Sequence, residues 1–272
     1  MEGVNLLAGR AWIANLFPLT YREIGLKNFN LNRYLQFGGL PAVWQSEFPE
    51  EQLDAYVQVY LTEEVKAESA VRKMPAFVEF LRSSALSNGQ VLNYAKLASD
   101  AGVSIPTIAS YYKILEDTLL GFEVSSWRKS TSRKAITKSK FYFFDPGVVN
   151  TLTGTESIDR NSNIYGNLFE QFIAMELRAY ISYRRLKNQL QFWRTEDQVE
   201  VDFIIGGKLA IEVKTTKKIS ADDLKGLKTL AKEGLVKKYV VVSHDPIDRK
   251  TGEFYLYHWK TFLKKLWDDE LL

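Results

Sequence analysis

"VDFIIGGKLAIEVKTTKK", residues 201–218, places Asp202, Glu212 and Lys214 in what is otherwise an apolar strand–turn–strand. Carboxylates and ammonium groups leave water at high cost unless they are partnered. The three charges therefore mark either a chemical site or a structural ion cluster, and turn length decides how they are arranged. A two-residue turn at Gly206-Gly207 pairs Val201 with Glu212 and Asp202 with Ile211, which scatters charge over both faces. A three-residue turn, Gly206 to Lys208, pairs Asp202 with Glu212, Phe203 with Ile211 and Val201 with Val213. Side chains alternate along a strand, so one face then reads Phe, Ile, Val, Val. The other gathers Glu200, Asp202, Glu212 and Lys214. Register follows the buried face, so the longer turn is expected, with a glycine in the left-handed conformation.

Two carboxylates side by side repel unless a proton or a cation lies between them. A hard divalent ion suits oxygen ligands, and Mg²⁺ accepts one or two carboxylates with water and phosphate completing its shell. Lys214, beside such an ion, could orient or activate a water for attack on phosphorus. A plain salt-bridge cluster running from Glu200 to Lys214 across the strands uses the same residues. The alternation leaves both readings open.

Working outward, a helix is expected through "GNLFEQFIAMELRAYI", then strands "LQFWRT", "VEVDFII" and "KLAIEVKTT". Helix "DDLKGLKTLAKEG", strand "KYVVVSHD" and the pair "EFYLYHWKTFLKKLW" follow. Strand, helix and strand over 208–243 form a crossover, which favours parallel pairing and an α/β layered fold.

The preceding stretch reads differently. "AFVEFLRSSALSNG" is a helix ending near Gly89. "NYAKLASDAGVSIPTIASYYKILEDTLL" is two helices about a turn at Gly102, the second opened by Ser104 and Pro106. A strand "GFEVSSW", a basic stretch and a strand "FYFFD" come next, the layout of a winged helix. Val124 to Phe144 has no acid but carries Arg128, Lys129, Arg133, Lys134, Lys138 and Lys140. These cations suit contact with nucleic-acid phosphates. The second helix offers Tyr111, Tyr112 and Lys113 but no arginine, so backbone contact is expected over base reading. Nearer the N-terminus, Thr20 and Glu23 have capping-box spacing. Gly38-Gly39 and Pro41 separate two helices, and "EEQLDAYVQVYLTEEVKAES" has helical periodicity.

Composition removes several classes. The chain has 272 residues, 46% hydrophobic and 25% charged, with a net charge of +3. Cysteine is absent, which excludes disulfides, thiolate zinc sites and cysteine nucleophiles and suits a reducing cytoplasm. His244 and His258 lie apart from any second ligand histidine, against a histidine metal site or a Ser-His-Asp triad. No P-loop motif occurs. No run of about 18 apolar residues suggests a membrane span.

Asp202 followed by Glu212-Val213-Lys214 resembles the D…ExK core of the PD-(D/E)XK nuclease superfamily. The helix "GNLFEQFIAMEL" resembles that superfamily's first helix, whose glutamate falls on Glu170. Val201 stands where the superfamily's name has proline. "GRAWIANLFPLTYREIG", "FGGLPAVW" and "FWRTEDQVEVDFII" are similar to the C-terminal half of a prokaryotic family with an N-terminal AAA-type ATPase and a trailing domain of unknown function. The resemblance implies a helical linker region over 1–75 following an absent ATPase module. It implies a winged-helix domain over 76–155 and a restriction-endonuclease-like α/β domain over 156–272. It further implies Mg²⁺- or Mn²⁺-dependent hydrolysis of DNA phosphodiesters. Asp202, Glu212 and the Val213 carbonyl would hold the ion, Lys214 would position water, and Glu170 would complete the acidic site. Glu170 shares a helical stripe with Ile173, Ala174, Leu177 and Ile181, while Glu176 lies near its other edge. The alternative expectation is an inactive nucleic-acid- or protein-binding regulatory module of an AAA-type ATPase.

Overall fold

A computed structural model describes residues 14–61, 74–129 and 136–272. Thr20 caps the first helix, α1 (Tyr21–Ile24), and the reciprocal bonds between Thr20 and Glu23 complete the expected capping box. α2 (Leu31–Phe37) stops at Gly38, and Pro41 opens α3 (Pro41–Gln45), so the break falls where Gly and Pro predict it. α4 (Pro49–Ala55) runs on into a π-helical turn, Tyr56–Leu61, in place of the uninterrupted α-helix that periodicity suggests. The rest of that expected helix lies outside the described residues.

α5 (Met74–Leu86) is followed by α6 (Tyr94–Ala101) and α7 (Ile105–Asp117). Gly102, left-handed at φ 62°, ends α6, and Ser104 with Pro106 starts α7. β1 (Gly121–Ser126) pairs antiparallel with β2 (Lys140–Phe143). Asp145 then caps α8 (Pro146–Thr153), and Ser162 caps the long α9 (Asn163–Tyr183). The remaining elements are β3 (Leu190–Arg194), β4 (Glu200–Ile205), β5 (Leu209–Val213), a 3₁₀ turn at Asp222–Leu224 and α10 (Lys225–Ala231). The chain ends with β6 (Lys238–Ser243), β7 (Arg249–Thr251), β8 (Phe254–His258) and α11 (Trp259–Trp267).

The eight strands of the described residues form one mixed sheet in the order β2-β1-β3-β4-β5-β6-β8-β7, giving a mixed α/β architecture. β1 joins it by pairing parallel to β3 through Ser125↔Gln191 and Ser126↔Phe192. The β2–β1 pair is thus a continuation of the sheet that carries Asp202 and Glu212. β5 and β6 are parallel across the α10 crossover, as the strand–helix–strand pattern requires. Both sheet faces are buried. Phe203, Ile205, Ile211 and Val213 pack in a core shared with α9 and α11, while Val201, Ile204 and Ala210 pack with Leu227 and Leu230 of α10. No helix among the described residues is long and apolar enough to cross a membrane.

Candidate active site

The β4–β5 turn has three residues. Phe203 pairs with Ile211, Ile204 with Ala210 and Ile205 with Leu209, and Gly206 and Gly207 are both left-handed at φ 56° and 72°. This is the register that burial of Phe203 and Ile211 demands. The expected face, however, needs correction. Between Gln191↔Ile204 and Trp193↔Val201, one residue of β3 faces two of β4, Asp202 and Phe203. Such a bulge interrupts the two-residue alternation. Val201 therefore joins Ile204 on the α10 side instead of lying beside Phe203.

The bulge also aims the Asp202 carboxylate along the sheet. The β4–β5 ladder reaches Phe203↔Ile211, and beyond it Asp202 Oδ2 accepts the Val213 N–H at 2.7 Å. Glu212 is 6% and Asp202 9% exposed, so both carboxylates are essentially out of water. Lys214 Nζ donates to Glu212 Oε1 at 2.6 Å. Glu212 Oε2 is buried and accepts no hydrogen bond from the described residues. It faces α10, where a side chain at Gly226 would come within 3.3 Å of it and within 2.0 Å of the Glu200 carbonyl. Only a glycine lets the helix approach this closely.

From the α9 side, Glu170 Oε1 accepts from Tyr142 at 2.6 Å and from Lys140 Nζ at 3.0 Å. Lys140 Nζ also lies 2.5 Å from Glu200 Oε1, and Arg194 lies 3.2 Å from Glu200 Oε2. The Lys140 ammonium further lies 5.4 Å from the Phe192 ring centroid. Glu170, Lys140, Tyr142, Glu200 and Arg194 thus form one bonded cluster, and its charges act on Asp202 and Glu212, with Lys214 on Glu212, beside it. In the sequence Lys140 reads as one of the surface cations, but it is 4% exposed and belongs to the acidic centre. Its one local signal is a lysine opening the apolar run "KFYFF".

Electrostatics follow from burial. Desolvation raises the Asp202 pKa well above the usual carboxylate range; the Glu212 and Glu170 charges add to it, and Lys140 and Lys214 oppose it. Burial raises Glu212 to about 7 despite the Lys214 partner. Lys140 would be lowered by burial, yet the Glu170, Tyr142 and Glu200 charges hold it well above the ordinary lysine value. Among the described residues four carboxylates, Asp202, Glu212, Glu170 and Glu200, meet three cations, Lys140, Lys214 and Arg194, which leaves one negative charge over. A proton shared by the buried pair, or an added cation, balances it.

Among the described residues no group of three or more His, Asp or Glu side chains is arranged to hold a metal. The fit therefore rests on fewer protein ligands. A buried Glu212 oxygen without a partner, beside a second desolvated carboxylate, suits one hard cation that takes its remaining oxygens from water or phosphate.

Arg128, Lys129 and Lys138 are exposed; Arg133 and Lys134 lie outside the described residues. Arg128 bonds the Thr137 carbonyl at 3.2 Å. A cleft of about 430 Å³, lined by Ile136, Thr137, Lys138, Arg194, Glu196 and Gln198 among others, lies between this basic stretch and the β3–β4 turn. Through Arg194 it borders Glu200. Glu176 stands apart, accepting from the Tyr21 N–H at 2.6 Å and the Trp267 indole at 2.7 Å, which is a structural clasp.

Residues 28–159 match a domain of unknown function (DUF8612), and residues 165–262 match another (DUF4143). The latter is often a C-terminal part of AAA-ATPase proteins. The chain is 38% identical over 76 residues to "Uncharacterized protein YccF" of Bacillus subtilis (strain 168), covering 27% of this chain and 21% of that protein. The chain thus spans about a fifth of the length of the curated relative it matches. No solved structure matches.

Proposed function

We propose that this chain hydrolyses nucleic-acid phosphodiester bonds at a nuclease-like centre built on Asp202, Glu212, Lys214 and Glu170. The observation that carries the reading is the buried Glu212 Oε2, without a partner among the described residues, beside a second desolvated carboxylate and a lysine. Asp202 and Glu212 would hold a divalent cation, Mg²⁺ or Mn²⁺, with the Val213 carbonyl as a further oxygen ligand. Bound there, the ion would supply Lewis-acid polarisation of a phosphoryl oxygen. Lys214, already oriented by Glu212, would hold the attacking water and offset charge growing on the phosphate. Lys140 would keep Glu170 and Glu200 in place, with Tyr142 fixing Glu170 from the other side. In this reading the fold is restriction-endonuclease-like, and α5, α6, α7 and the β1–β2 pair form a winged-helix arrangement. Arg128, Lys129, Arg133, Lys134 and Lys138 would grip the backbone of DNA without reading sequence.

A second reading is a non-cleaving regulatory module of a cytoplasmic AAA-type ATPase. It is favoured by the saturation of Glu170 and Glu200 by Lys140 and by the DUF4143 match. Incubating the protein with circular and linear DNA and with RNA, in Mg²⁺, Mn²⁺ or chelator, separates the two. Chelator-sensitive strand scission that disappears in Asp202→Asn supports hydrolysis. Undegraded substrate in both metals, with no metal bound in calorimetry, supports the regulatory module.

A further inference from the structure

Arg178 is a half-buried cation for which the described residues supply no direct partner. On α9 it projects between two rings, with its guanidinium carbon 4.3 Å from the Phe122 centroid and 5.1 Å from that of Phe17. Among the described residues it makes no hydrogen bond and no ion pair. A guanidinium carries five N–H donors in a rigid fork. Burial lowers its pKa to about 10, and the Glu116 carboxylate offsets this only in part. The guanidinium is only partly out of water, and stacking on the two rings leaves its N–H donors unpaired among the described residues.

The guanidinium lines a cleft of about 480 Å³ that also exposes Ser125, Ser182, Asn188 and Gln189. Among the described residues Glu123 is the one carboxylate lining it. The carbonyls at the end of α9 do not compete for the fork, since Tyr180, Ile181 and Ser182 accept the N–H groups of Arg184, Leu186 and Arg185. The cleft is separate from the acidic centre: Arg178 lies eight residues beyond Glu170 on α9, roughly 12 Å along the helix axis. We infer that this cleft binds a small molecule through a phosphate or carboxylate group, held by the Arg178 fork and by the amide and hydroxyl groups around it. Both anions match the fork in a bidentate manner.

Thermal unfolding of the full chain tests this with inorganic phosphate and acetate as probes, against chloride at matched ionic strength. Saturating the site should raise the wild-type Tm by about 2–4 °C in at least one anion. A response to phosphate alone or acetate alone identifies which anionic head the cleft takes. Arg178→Met keeps the aromatic packing and removes the charge, so it should be as stable as wild type in chloride and show no anion response. Arg178→Lys keeps the charge but loses the fork, and should respond less. Should neither variant fold, titration calorimetry of the wild type with phosphate and acetate decides, an affinity tighter than about 10 mM being expected for one of them. Absence of any wild-type response, or an equal response in Arg178→Met, overturns the proposal.

Discussion

Asp202 Oδ2 accepts the backbone N–H of Val213 at 2.7 Å, so a side chain of β4 continues a ladder that its own bulged backbone has left. The carboxylate consequently has one structural oxygen and one oxygen available for chemistry. Asp202→Asn can still accept the Val213 N–H and should leave Tm nearly unchanged, while Mg²⁺ affinity falls because a ligand charge is lost. Asp202→Ala should weaken the ion and also strand a buried N–H, at about 1–3 kcal/mol. Thermal melts and metal titration on both variants check this; equal destabilisation by the two would contradict a division of labour between the oxygens.

Lys214 is tied to Glu212 at 2.6 Å and its side chain is 34% exposed, so its removal need not break the fold. Glu212 already titrates near 7 and can take up a proton when its partner goes. Lys214→Ala should therefore fold and bind DNA nearly as well as wild type, with cleavage reduced roughly 10²-fold or more. A large loss of stability with no cleavage to lose in the wild type would leave the salt-bridge reading standing.

The cations of the β1–β2 region divide into two kinds. Arg128, Lys129 and Lys138 are exposed, and a triple alanine variant should fold normally. Its log affinity for duplex DNA should fall less steeply with log salt, by up to roughly 0.9 for each phosphate that the variant no longer neutralises. Lys140→Ala should behave otherwise. It leaves Glu170 and Glu200 without their shared ammonium and should lower stability by on the order of 2–4 kcal/mol, since the lysine itself is buried. Chemical denaturation and salt titration of binding distinguish the two kinds; an unchanged salt slope in the triple variant would assign those cations to plain surface or to a protein partner.

These differences locate what the sequence could reveal. The turn at Gly206 to Lys208 and the Phe203↔Ile211 register were legible, because a one-residue slip would expose an entire apolar face. The helix boundaries at Thr20, Gly102 and Ser104 were legible as local cap chemistry. The bulge at Asp202 was not, since it arises where β4 meets β3 and leaves no mark on the two-residue period. Nor was the place of Lys140: its partners Glu170 and Glu200 lie 30 and 60 residues away, and only the closed sheet brings them together. β7 escaped notice because "RKT" is short, polar and exposed at a sheet edge.

Glu176 provides a prediction independent of catalysis. It is 1% exposed and joins the Tyr21 N–H to the Trp267 indole, clasping the N-terminal helices to α11. Desolvation raises its pKa to about 7, and its two hydrogen bonds recover only part of that cost. The folded-state value thus lies above the ordinary carboxylate value of about 4.3 expected in the unfolded chain. A group of this kind favours the fold fully below the unfolded value, and the contribution is lost as pH rises through the folded one. Between pH 4.5 and 7.5 the wild type should accordingly lose stability, Glu176 contributing on the order of 2–3 kcal/mol to the decline. Glu176→Gln has no proton to lose and should flatten that part of the profile while its amide oxygen still accepts one of the two N–H groups. Urea unfolding of wild type and Glu176→Gln across this range measures the difference. The sign should be opposite to that of a carboxylate paired with arginine, such as Asp245 with Arg249, whose pKa is lowered. Parallel profiles for the two proteins would mean that Glu176 binds protons equally in the folded and unfolded chains, so that burial does not raise its pKa.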